Sequence, residues 1–454
     1  MSIRDWGPVG PVTLWSEPEN NGQILHDAIV GARHSVDIPI WEIGGPQIMK
    51  ALTAAKQNGV AIRIMFNGNF GCGPDKNSPR FDQAYWVVDT LTAAAGEGKL
   101  AFHWASNNFS ITHQKTVIID ACQDGRRLPP EDLPETAKAL VLTLNICPYA
   151  WMVSSTGHRE PMPWVFWGKH HPDIGFPIRD FGAMVTKPEL VALIAAVFET
   201  DFNVAPPNFI IDLRSMRNGL VWSNGTTGIT PNGLGEYPHG KNNYPAFNAE
   251  KLAAMKTAVN QGNSVKAHVE MINAAQKTLI VYNEEMDDQE LVEAIAVRAR
   301  AGVDVRVILT GNVRTSAKDG DSYAYGWNYN TLAKAGVKIR LYPAEGKWMY
   351  IHAKVLLADA GTPDAIAFMG SENIGGNSLH FNRELGLILQ GESDTSLFSE
   401  TFERDWQKAG LIDWPSDGSA LKPPPVSNQG VPVFEAMKAD YTPIMAGPVE
   451  PREV

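Results

Sequence analysis

Apolar positions along the chain alternate between two periods. Ile24, Leu25, Ala28, Ile29 and Ala32 recur at helical spacing, and the run from Ser35 to Ile40 that follows has the length and apolar content of a strand. Ile48, Met49, Leu52 and Ala55 then share one helical face, Asn58-Gly59 reads as a helix stop, and Ala61 to Phe66 is a second strand. Gly44-Gly45-Pro46 is a turn leading into that second helix, without the spacing of a phosphate-binding loop.

The same pattern returns later. Sliding the chain on itself by 243 residues lays Ile29-Val30-Gly31-Ala32 on Ile272-Asn273-Ala274-Ala275, Glu42 on Glu285, Gly59 on Gly302, Arg63 on Arg306 and Gly68-Asn69 on Gly311-Asn312. The second copy has its helix from Leu291 to Arg300, its stop at Gly302 and its strand from Val303 to Leu309. Helices alternating with strands imply a mixed or parallel sheet covered on its faces, so the fold class is α/β, with two duplicated lobes. The expected division is a first lobe over residues 1–202, a linker over 203–248, a second lobe over 249–413 and a tail over 414–454. The linker is rich in Gly, Pro and Asn, and the tail carries Pro423-Pro424-Pro425, which suits an extended strap.

Each copy then presents a polar signature on an apolar run. The first reads His113-Gln114-Lys115 with Asp120, and the second reads His352-Ala353-Lys354 with Asp359. On a strand, His and Lys two positions apart face the same side, whereas Asp, seven positions after His, faces the other. The aspartates are thus expected to be structural or orienting members of the motif. Downstream come Thr143, Asn145, Arg179 and Asp180 in the first copy, and Ser371, Asn373, Arg383 and Glu384 in the second. Glu42 and Glu285, matched by the repeat, read more readily as structural positions than as catalytic ones.

These paired motifs resemble those of the phospholipase D superfamily, His-x-Lys-x4-Asp followed by Gly-Ser-x-Asn, and the resemblance runs from about Gly22 to Leu389. The first copy departs from it, with Leu142-Thr143-Leu144-Asn145 where the second has Gly370-Ser371-Glu372-Asn373. The resemblance implies two lobes related by a pseudo-twofold axis, with one active site between them. It implies a phosphohistidine mechanism in which His113 attacks phosphorus and His352 protonates the leaving alcohol, although near-symmetry leaves the two roles exchangeable. Lys115, Lys354, Asn145, Asn373, Ser371 and Thr143 would bind phosphate, and Asp180 and Glu384 would orient the imidazoles. Elementary electrostatics agrees, because a phosphodiester gains negative charge as it is attacked and paired ammonium groups stabilise that charge. With the lysines in place, neither metal nor organic cofactor is expected.

Composition narrows the substrate. Lys and Arg number 39 against 50 Asp and Glu, a formal net charge of -11, so a surface built to wrap nucleic acid is not expected. Cys72, Cys122 and Cys147 are too few and too scattered for a disulfide framework or a zinc site, and His170-His171 lacks companion ligands. Between Asn145 and Arg179 lie 33 residues, against nine between Asn373 and Arg383. That insertion holds Trp151, Trp164 and Trp167, which with Trp348 and Tyr350 would form an aromatic rim suited to a lipid interface, or would simply pack the insertion onto the lobes. No apolar run of about 18 residues is present, nor a leader pattern at the start, so the protein is expected to be soluble, cytoplasmic or exported without a visible signal. The leading expectation is a monomeric phospholipase D acting on phosphatidylcholine-type lipid at a membrane or micelle surface, with transfer to primary or amino alcohols. A phospholipid synthase of cardiolipin or phosphatidylserine type is the alternative. A nuclease and a catalytically silent binding module stand further off.

Overall fold

The computed structural model describes residues 3–5, 9–67, 79–105, 111–146, 178–202, 220–221, 235–236, 264–284, 286–311, 320–343, 349–380 and 382–420. The first lobe runs β1 (Val12–Glu17), α1 (Gln23–Val30), β2 (Ser35–Ile40), α2 (Pro46–Gln57), β3 (Ala61–Phe66), α3 (Pro79–Ala93), β4 (Leu100–Trp104), β5 (Thr116–Ile119), the ribbon β6 (Cys122–Gln123) and β7 (Arg126–Arg127), β8 (Lys138–Leu142), β9 (Ile178–Val185) and α4 (Pro188–Phe202). Two short strands follow, β10 (Leu220–Val221) and β11 (Gly235–Glu236). The second lobe runs α5 (Ser264–Ala274), β12 (Thr278–Tyr282), α6 (Gln289–Arg300), β13 (Asp304–Thr310), α7 (Gly320–Lys334), β14 (Lys338–Tyr342), β15 (Tyr350–Ile351), β16 (Val355–Ala358), β17 (Ile366–Gly370), α8 (Gly376–His380), β18 (Gly386–Gln390), α9 (Ser396–Trp406) and β19 (Ile412–Asp413).

The two sheets repeat one order. The first contains β9-β8-β5-β2-β3-β4 and the second β18-β17-β16-β12-β13-β14. In each, the βαβ half is parallel and the half that follows the His-x-Lys motif is antiparallel. The chain is therefore an α/β protein of two duplicated lobes, each a mixed sheet flanked by helices. The repeat reaches the caps. After α2, Gly59 N–H bonds Lys56 O and Val60 N–H bonds Ala55 O; after α6, Gly302 N–H bonds Ala299 O and Val303 N–H bonds Arg298 O. Both glycines have φ near +90° (+84° and +92°), the left-handed conformation this helix stop requires.

Three apolar cores result. One lies under the outer helices of the first lobe, with Ile29, Leu52, Ile64 and Ile119, and a second under those of the other lobe, with Ile272, Ile295, Val307 and Phe368. The third joins the lobes: Phe181, Ala183 and Phe198 of the first pack with Tyr282, Phe398 and Phe402 of the second. Phe181 stands edge-on to Phe398 at 5.1 Å and tilted to Tyr282 at 5.6 Å. The linker adds β11 beside β4 in the first sheet and β10 beside β18 in the second. At the start of the tail, Trp414 is buried against Tyr329 and donates its indole N–H to Asn330 at 2.9 Å.

Candidate active site

The His-x-Lys segments stop short of the strands expected to carry them. β5 begins at Thr116 and β16 at Val355, after the lysines. The reason is that each segment leaves its own sheet to pair with the other lobe. His113 and Gln114 donate their backbone N–H groups to Arg383 O, both at 2.8 Å, and His352 and Ala353 donate theirs to Arg179 O at 3.1 and 2.9 Å. β15, just ahead of His352, pairs in parallel with the start of β9.

The residue after each arginine completes the exchange. His113 Nδ1 lies 2.9 and 3.0 Å from the Glu384 carboxylate oxygens, and His352 Nδ1 lies 3.0 and 3.1 Å from those of Asp180. Each lobe thus orients the other lobe's imidazole, with Nδ1 held and Nε2 left for chemistry. The arginines themselves brace the lobes. Arg179 forks onto Asp405 of α9 at 2.7 and 3.1 Å and onto Glu19, and Arg383 forks onto Asp201 of α4 at 2.7 and 2.9 Å. Tyr282 Oη also donates to Asp405 at 2.7 Å.

Electrostatics divides the site. Burial pushes His113 down to about 4; Glu384 pulls it back and Lys115 lowers it further, so its imidazole is neutral near neutral pH. Lys115, buried beneath it, donates to His113 O at 2.8 Å and is pushed down to about 7 by burial, against the pull of Glu384. The Trp41 ring stands edge-on to His113 at 5.6 Å. Around His352 the setting is more polar. Lys354 donates to His352 O, and its Nζ is 3.5 Å from Glu284, which also accepts from Tyr350 Oη and, at 3.4 Å, from Asn373. Burial works to raise Glu284, but Lys354 and then His352 overcome it and hold the carboxyl at about 2. Two further acids sit behind the orienting carboxylates. Burial and then Glu384 push Glu372 well above the ordinary range, and Glu17, paired across β1 with Asp180, is raised to about 8 mainly by burial.

Several residues do other work than expected. Asp120 and Asp359, counted in the catalytic motif, are fully or nearly buried at φ +55° and +54°, turned away from the cleft. Asp120 accepts from the N–H groups of Arg33, His34 and Ser35, and Asp359 from those of Gln276, Lys277 and Thr278, so both tie the helix-to-strand turn to the end of the motif strand. Thr143 and Ser371, expected at the phosphate, are buried with their hydroxyls engaged elsewhere. Thr143 Oγ1 donates to Asp180 at 2.6 Å and accepts from Phe181 N–H, and Ser371 Oγ accepts from Leu385 N–H. They hold the strands that carry the orienting acids. The missing glycine of the first copy has a local cause: a Cβ on Gly370 would come within 2.5 Å of Glu372 Oε2 and of Gly386 Cα, whereas the first lobe has the apolar Leu144 in place of Glu372. Asn145 is buried next to the bridge that links Ile146 to Ile43. Trp151, Trp164, Trp167, Trp348, Glu285 and the His170-His171 pair lie outside the described residues. Tyr350, expected at a lipid rim, meets Glu284 instead. Glu284 was missed because the repeat sets it opposite Trp41, where no identity marks it.

Two imidazoles are thus each fixed by a carboxylate of the opposite lobe and flanked by a lysine of their own. Residues 25–147 and 268–406 match the family model described as "Cardiolipin synthase, PLD-like domain". The chain belongs to this family of the phospholipase D superfamily. A cardiolipin synthase of Clostridium perfringens is 29% identical over 139 residues, which are 30% of this chain and 27% of that protein. Cardiolipin synthase 1 of Bacillus cereus is 31% identical over 129 residues, 28% of this chain and 23% of its own length. Each match thus spans about a quarter of the relative. Among solved structures, phosphatidylserine synthase of Haemophilus influenzae has the same fold over 97% of this chain and 96% of its own, with a TM-score of 0.55 and 12% identity. Among the described residues, no helix is long and apolar enough to cross a membrane.

Proposed function

We propose that the chain is a phosphatidyl transferase of the phospholipid synthase kind, which moves the phosphatidyl group of one phospholipid onto an acceptor alcohol and makes a product of cardiolipin type. The observation that carries this reading is the reciprocal clamp, in which Glu384 fixes His113 and Asp180 fixes His352 across the lobe boundary. His113, neutral through burial, attacks phosphorus through Nε2, and the bond to the leaving headgroup oxygen breaks. His352 delivers a proton to that oxygen, then takes one from the incoming alcohol, whose oxygen displaces His113 from phosphorus. Lys115 and Lys354 stabilise the charge that builds on the phosphoryl oxygens. Asp180, beside His352, supports the imidazolium form that the first half-reaction consumes and the second restores.

The names of the relatives reported above support synthesis better than hydrolysis of phosphatidylcholine, the leading expectation from sequence. Hydrolysis is the same route with water in place of the alcohol. The test is product analysis on phosphatidylglycerol vesicles, comparing the intact chain with His113→Ala. Cardiolipin and free glycerol from the intact chain alone support the transferase; phosphatidic acid without cardiolipin would make it a hydrolase. Cleavage of DNA without any lipid product would move the substrate to nucleic acid.

A further inference from the structure

Near His352 and Lys354 stands a carboxylate to which the proposed mechanism gives no role. Glu284 follows β12 at the position that Trp41 occupies after β2, and its side chain is 23% exposed. Its Oε2 lies 3.5 Å from Lys354 Nζ and 3.4 Å from Asn373 Nδ2, and its other oxygen takes the Tyr350 hydroxyl. A carboxylate there is a liability toward the phosphodiester, because like charges repel within a few ångströms. It is an asset toward a group that brings hydrogen-bond donors or positive charge. At the corresponding place the His113 half has the Trp41 ring.

We propose that Glu284 is the specificity-determining residue of an acceptor subsite, taking a second donor group, hydroxyl or ammonium, that stands a few atoms from the alcohol oxygen which His352 activates. Glycerol-type and amino-alcohol headgroups share this chemistry, and a simple alkanol lacks it. The subsite rests on the transferase reading above and adds to it which alcohols are accepted. A group that served only to keep Lys354 charged would slow transfer to every alcohol alike.

The experiment is competition in one vessel. The intact chain acts on phosphatidylglycerol vesicles at pH 6.5 with equal 1-propanol, 1,3-propanediol and ethanolamine, and the phosphatidyl products are quantified by mass spectrometry. The diol and ethanolamine products are expected to exceed the 1-propanol product by about tenfold, the effect of one charge-assisted hydrogen bond. In Glu284→Gln this preference is expected to fall to near unity, and in Glu284→Asp, which keeps the charge, to persist. The product ratio cancels any loss of rate common to all acceptors, and the melting temperature of each variant checks folding. Preference for the diol alone assigns the subsite to polyols, and for ethanolamine alone to ammonium headgroups. An intact chain that transfers without preference, or a Glu284→Gln variant that keeps the preference, overturns the subsite and leaves the transferase standing. No transfer by the intact chain overturns the transferase reading itself.

Discussion

The two halves of the cleft are alike in backbone and unlike in lining. Both place an imidazole by the same three contacts: a main-chain pair to the opposite arginine carbonyl, a ring bond to the opposite carboxylate and a lysine folded back on the histidine carbonyl. Yet the first half sets the Trp41 ring edge-on to its imidazole, whereas the second carries Glu284 beside its lysine. Symmetric scaffolding with asymmetric lining teaches how one reaction obtains two different tasks from one motif. A neutral imidazole is suited to attack phosphorus, and one that has Glu284 nearby in addition to its orienting carboxylate is suited to shuttle a proton.

The largest expected effect breaks that division. His113→Ala and His352→Ala should each lower transfer by roughly 10^4-fold, but only His352→Ala should still form a lipid-phosphohistidine when the leaving group is p-nitrophenol and needs no proton. Rapid quenching and peptide mapping would locate the label at His113; a label on His352 in the His113→Ala chain would exchange the roles. Next come the braces. Arg179→Ala takes the charge partner from Asp405 and Arg383→Ala takes it from Asp201, so each should cost about 3–5 kcal/mol in denaturant unfolding. An unchanged midpoint would show that the apolar seam alone holds the lobes.

A smaller effect concerns pH. Productive free enzyme needs His113 deprotonated and both Lys115 and the proton donor His352 protonated, so kcat/KM should rise through about pH 4, and the Lys115 requirement should make it fall through about pH 7. Because guanidinium stays charged, Lys115→Arg should change the falling limb to that of His352 alone, and an unaltered falling limb would show that Lys115 does not contribute to it. Smallest is the turn pair. Asp120→Ala and Asp359→Ala should each lose about 1–3 kcal/mol of stability while keeping activity per folded molecule, since each leaves three buried or half-buried N–H groups without their acceptor. A catalytic loss at full stability would return them to the chemistry.

Local patterns carried most of the fold. Apolar spacing foretold β2 and β3 to the residue, and Gly59 and Gly302 marked both helix stops, because these are decided by neighbours a few positions apart. The odd offset of Asp120 from His113 also pointed away from the cleft, where the structure puts it. What the sequence could not display was which lobe each carboxylate serves. Asp180 is 67 residues from His113 and 172 from its actual partner, His352, and no periodicity encodes a contact made by folding two sheets face to face. That crossing also removed His113 and His352 from their strands. Glu284 escaped for the opposite reason: comparing the copies rewards identity, and this residue matters where the copies differ. The hydroxyls of Thr143 and Ser371 were assigned to the phosphate by the resemblance, but the nearest strand claimed them first.

The crossed carboxylates have a consequence for the history such a chain can have. Were the two lobes separate, identical subunits, every substitution in the cleft would appear twice, and an aromatic on one side with an acid on the other could not arise. Joining them in one chain lets the halves diverge residue by residue, while the exchanged contacts keep each dependent on the other. An exchange of the Trp41 and Glu284 side chains would accordingly ask whether the direction of the reaction through the cleft is written in these two positions.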